Sequence, residues 1–153
     1  MRRLSSFLAL TFLVFFSCQN SKENQPDSQA KIDPKIDSLY KLVVAKHDEV
    51  MPKTSDISKL TQQLRKRLEI EKSETEKEKI LNLLAGLQSA NDAMFDWMGE
   101  FKGLHNNKEY YEKTDEKELS NYLKSEEIKI ERVAKLMLES IGYAELFLKE
   151  SKQ

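Results

Sequence analysis

His47 and Met51 stand four residues apart in "KHDEVMPK", and Met94 and Met98 repeat that spacing around Trp97 in "AMFDWMGEF". On a helix, positions i and i+4 share a face, so each pair projects together. An imidazole with thioethers is a soft ligand set suited to Cu(I), and a tryptophan beside it can cover a bound cation. His with Met can also hold haem iron axially, although the chain has no covalent haem-attachment motif. The candidate metal set is therefore His47, Met51, Met94 and Met98, with Trp97 adjacent. The plainer reading is packing. Methionines on a helical seam are flexible core filler, and a seam tryptophan is an anchor. The leading expectation follows that reading, with no cofactor, and keeps a Cu(I)-binding or copper-handling protein as the alternative.

Glu126 falls on an apolar seam, where an unpaired carboxylate is costly. Either it pairs with His47, which raises that histidine's affinity for a proton, or it simply faces the bundle's open end. Together the two make an acid–base dyad without a nucleophile or substrate-positioning residues, so no enzyme is expected. His105, beside Asn106 and Asn107, reads as exposed. Tyr110-Tyr111 reads as a pair of loop aromatics tucked under the bundle end.

Cys18 is the only cysteine. It follows two arginines and an apolar run from Phe7 to Phe16, the layout of a secretory signal, and that run is too short to span a bilayer comfortably. The placement resembles a bacterial lipoprotein signal, in which cleavage leaves the cysteine as a lipid-modified N-terminus. Phe15 and Phe16 depart from the Leu and small residue usual there, and an ordinary signal peptide is the competing reading. The expected organisation is a signal peptide over 1–17, a lipidated Cys18 with a flexible tether over 18–32, and a helical bundle over 33–153. A tether of about 14 residues spans on the order of 20 Å as a coil. With no second cysteine, the mature chain can form neither an internal disulfide nor a thiolate metal site.

The elements that position these residues follow from period and punctuation. Asp33-Pro34 is a cap residue followed by proline at the first helical position. Ile36, Tyr40, Val43, His47, Val50, Thr54, Ile57, Thr61, Leu64 and Leu68 then alternate by four and three. Pro52 falls off that seam, which favours one kinked helix to about Lys72; the alternative is a break at "PKTS", with Ser55 or Thr54 capping a new helix. "SETE" at Ser73 to Glu76 is a capping-box pattern before the second helix, whose stripe runs from Ile80 to Phe101 and which stops at Gly103. "LHNNKEYYEK" reads as a loop. A third helix opens at Thr114-Asp115-Glu116, with a seam from Leu119 through Glu126 to Leu148.

The expected fold is all-α: an antiparallel up-down-up bundle of three long helices, or four if the first breaks at Pro52. Counting outward from the first turn brings His47 level with residue 99 and Met51 level with residue 95, within about 5 Å. Leu119 to Glu126 come to the same height. Charged residues make up 33% of the 153, and mean hydropathy is −0.63, which fits long helices with one wet face each. Without Arg2 and Arg3 the chain carries 23 basic against 26 acidic residues. A nucleic-acid binder would show a basic excess or stripe, so no such partner is expected.

"KHDEVMPKTSDI" with "AMFDWMGEF" is similar to small lipoproteins of Bacteroidota often labelled "viral A-type inclusion protein". The resemblance covers most of residues 40 to 148, and the recurring positions match His47, Asp48, Glu49, Met51, Pro52, Met94, Trp97 and Met98. It implies a helical fold and an envelope compartment, and no established activity. The expected protein is a non-catalytic module, lipid-anchored on the periplasmic side of the envelope, at the outer membrane. It would touch the membrane through its N-terminal lipid and bind a protein partner or itself.

Overall fold

The computed structural model describes residues 32–150. The signal peptide, Cys18 and nearly all of the tether lie outside the described residues. The described residues form five helices, α1 (Pro34–Val50), α2 (Lys53–Ile70), α3 (Glu74–Glu100), α4 (Lys108–Lys113) and α5 (Glu116–Glu150), and no strand. This is the expected all-α bundle, in its version with the first helix divided.

Side chains cap the starts of α1, α3 and α5, whereas α2 and α4 begin without one. Asp33 accepts from the Lys35 amide at 2.8 Å ahead of Pro34. Ser73 Oγ accepts from the Glu76 amide. The reciprocal half of that capping box does not form, because the Ser73 amide donates to Glu71 Oε1 at 3.0 Å. Glu71 also accepts from the Lys72 amide and pairs with Arg67. The two backbone amides, Ser73 first, hold its carboxyl below the usual carboxylate range. Asp115 caps α5 through the Glu118 amide.

Pro52 divides the first long helix more fully than a kink. Met51 and Pro52 both keep right-handed helical dihedrals. Pro52 has no amide proton, and the bonds that follow tighten to three-residue steps, Thr54 to Met51 and Ser55 to Pro52. Neither Thr54 nor Ser55 caps α2: the Thr54 hydroxyl donates back to the Met51 carbonyl.

The directions are up, up, down, up. Lys35 near the start of α1 pairs with Glu116 at the start of α5, so these two run parallel. Ser140 on α5 donates to the Gly86 carbonyl on α3, and Tyr122 stacks with Phe101, so α3 and α5 run antiparallel. α1 packs chiefly on α5, while α2 packs on both α3 and α5. One core cluster runs along the bundle through Val43, Leu64, Ile80, Leu87, Met94 and Met137. A second, of Ile36, Tyr111, Leu119 and Leu123, closes the end from which α1 begins.

The segment read as a loop contains α4. Tyr111 on α4 is buried, donates to the Lys102 carbonyl and fills that closed end. A six-residue helix is too short for a period of its own to show, and one buried ring holds it.

Candidate functional site

The closed end carries a connected set of aromatic rings. His47 on α1 stacks on Trp97 of α3 with centroids 5.7 Å apart. Trp97 stacks on Phe101 at 4.8 Å, and Phe101 meets both Tyr40 and Tyr122. Tyr110 and Tyr111 continue the set edge-on. α1 packs chiefly on α5, and these rings bridge it to the end of α3.

Three tyrosine hydroxyls pin the segment after α3. Tyr122 accepts from the Lys102 amide at 2.7 Å, Tyr111 donates to the Lys102 carbonyl at 2.8 Å, and Tyr40 accepts from the Leu104 amide at 3.2 Å. The Lys102 ammonium lies over the Tyr110 ring, 4.0 Å from its centroid. Burial pushes the Tyr111 hydroxyl far above the ordinary phenol range. Burial likewise pushes Tyr122 up to about 12; the Lys102 amide opposes the shift, and the Glu126 charge adds to it. Tyr110 is raised by the same burial.

A groove of about 300 Å³ opens beside this cluster, lined by Tyr40, Val44, His47, Trp97, Met98, Phe101, Gly103, His105 and Asn106. The expected level of His47 with residue 99 is met within a turn, since its ring lies on Trp97. The metal set itself is divided. His47 and Met98 line the groove, with Met98 40% exposed, whereas Met94 is fully buried in the core. Met51 packs against the core and does not line the groove. Sequence reasoning placed Met98 on the inner seam; it stands one position round from Trp97, on the flank facing α1. His105, read as merely exposed, lines the same groove, so both histidines of the chain meet there. Among the described residues no group of three or more His, Cys, Asp or Glu side chains could hold a metal ion.

The expected His47–Glu126 bond does not form. His47 Nδ1 lies 2.9 Å from Asp48 Oδ1, its neighbour on α1. Glu126, 2% exposed, takes Lys129 at 2.8 Å through Oε1, and that bond holds the Lys129 ammonium above its usual range. Three buried polar atoms in this layer have no hydrogen-bond partner among the described residues: His47 Nε2, Trp97 Nε1 and Glu126 Oε2. The layer therefore holds a cost that hydrogen bonding within the chain does not offset.

The fold defines a class, the antiparallel helical bundle with one aromatic-filled end. Comparisons with protein-family models, curated proteins and solved structures gave no match to this chain.

Proposed function

We propose that this chain is a lipid-anchored, non-catalytic module of the cell envelope that works through protein–protein contact. The observation that carries the reading is the apolar surface left over once the bundle has closed. On α3 alone, Leu81 is 53% and Phe95 49% exposed, with Met98 beside Phe95. Phe95 and Met98, one turn apart, set exposed apolar side chains side by side, and exposed apolar patches mark interaction sites. The anchor rests on Cys18 at the end of the apolar run; because α1 begins at the aromatic end, a tether leading into it would hold that end towards the membrane. The expected address is the periplasmic side of the outer membrane.

Metabolic labelling with a radiolabelled fatty acid tests the anchor. Label should enter the chain and disappear in Cys18→Ser, which should move to the soluble fraction. An unlabelled chain, or a Cys18→Ser variant as membrane-bound as its parent, sinks the anchor.

A second reading belongs to the groove. His47, His105 and Met98 share it, and imidazoles with a thioether suit Cu(I). Under this reading Cu(I) titration of the chain saturates at one equivalent, and His47→Ala abolishes it. Equal binding by the variant rules the groove out.

A further inference from the structure

Helix α3 carries a second seam on its outward face. Leu81, Ala85, Gln88, Asp92, Phe95 and Gly99 follow one another by four and three, and all six are exposed. That is the spacing of a coiled-coil face, and no helix among the described residues covers it. The composition is unusual for exposed surface here. Charged residues form 33% of the chain, yet from Ile80 to Gly99 the only charges are Asp92 and Asp96.

The seam is complementary to itself when reversed. A two-fold axis at the level of Ala90 sets Leu81 against Gly99, Phe95 against Ala85, and Gln88 against Asp92 of a second copy. Each large side chain meets a small one, and an amide donor meets a carboxylate acceptor. Gln88 Nε2 already bonds Asp92 Oδ1 within one chain at 2.7 Å, so the same pair can exchange partners across the axis. Gly99 gives an independent indication. A Cβ there would meet nothing within 4 Å, so internal packing does not require glycine, and its backbone φ is not positive. Glycine in a helix is destabilising relative to alanine, by about 0.5–1 kcal/mol. A slot for the leucine of a partner accounts for it.

We infer that two copies of this chain pair through their α3 helices, antiparallel and two-fold symmetric, with the Phe95 ring seated over Ala85 of the second copy. This deepens the interaction reading above and rests on it. The contact spans about 27 Å of helix, shorter than most stable interfaces. Dilute chains should therefore associate weakly, while chains confined to one membrane surface meet at a much higher effective concentration. An isologous contact of this kind closes on itself.

The test is sedimentation equilibrium of the full chain in density-matched detergent, up to about 500 µM, with substitutions at the seam. The expected result is a monomer–dimer equilibrium. Phe95→Ala and Gly99→Phe should each weaken it at least about ten-fold with helicity unchanged. Ala85→Phe alone should do the same, because two phenylalanines then collide. The swap Ala85→Phe with Phe95→Ala should restore pairing, since large again meets small about the same axis. A chain that stays monomeric throughout overturns self-pairing and leaves the face to a different protein, with the interaction reading intact. A dimer indifferent to all four variants overturns it as well, because the contact then lies elsewhere.

Discussion

Replacing Glu126 by leucine should make this protein more stable. The carboxylate is 2% exposed, its Oε1 bonds Lys129 at 2.8 Å, and its Oε2 is buried without a partner. An unsatisfied buried acceptor costs about 1–3 kcal/mol. The ion pair offsets little, because the Lys129 side chain is half exposed, and such pairs contribute about 0–1 kcal/mol. Leucine of similar volume removes the orphaned oxygen and adds apolar burial of about 1.5–3 kcal/mol. After imperfect repacking a net gain of about 2 kcal/mol remains, in line with other buried charges replaced by apolar groups. For a domain of this size that is a rise of about 8 °C in Tm. Urea titration at neutral pH reads the free energy, and a thermal scan reads the Tm. Glu126→Gln serves as the control that keeps shape and leaves a polar orphan, and it should not gain. A Glu126→Leu protein less stable than its parent by 1 kcal/mol or more would refute the reasoning, since the carboxylate must then hold a stabilising partner.

Three further outcomes follow from the same geometry. Tyr122 ionises at about 12 in the fold against an ordinary 10.0, so its contribution is complete below pH 10 and lost as pH rises towards 12. The gap corresponds to about 2.7 kcal/mol, which screening at a half-exposed ring cuts to about 1. Urea stability should fall over that window and fall less in Tyr122→Phe, and an identical slope in both would contradict the assignment. Tyr111→Phe removes the bond to the Lys102 carbonyl and should cost about 1 kcal/mol, with faster hydrogen exchange at the amides of Lys102 and Leu104. Gly86→Ala should stabilise by about 0.5–1 kcal/mol, because the new methyl meets Ser140 Oγ at 3.8 Å, an ordinary contact. A destabilised Gly86→Ala would mean that α3 and α5 lie closer than described.

The seams were legible because burial in a helix has a period. Spacing alone places Val43, Val50, Ile57, Leu64, Ile80 and Leu119 on the seams, and all six are buried. The turn at Ser73 was legible because a hydroxyl three residues before Glu76 satisfies an orphan amide. The height of His47 against Trp97 followed from counting along two antiparallel helices. What spacing could not supply was the direction of residues on a flank. Met98 lies next to the seam and forms a wall of the groove with Val44 and His47 of α1 rather than a core contact. The partner of Glu126 was missed for a related reason. Lys129 lies one turn along the same helix and reaches the carboxylate sooner than a histidine on another helix. Helix α4 gave no periodic signal over six residues. The outer seam of α3 was present in the sequence from the start, but the more apolar stripe beginning at Ile80 hides it. Only the burial pattern separates the two.

Photo-cross-linking in intact envelopes, from a photoreactive residue placed at Phe95, tests most directly whether this chain is a membrane-tethered interaction module. The expected product is an adduct at twice the mass of one chain, recovered in the membrane fraction and absent when the same residue is placed at Lys72 on the α2–α3 turn. No adduct from Phe95, or equal adducts from both positions, would contradict the account.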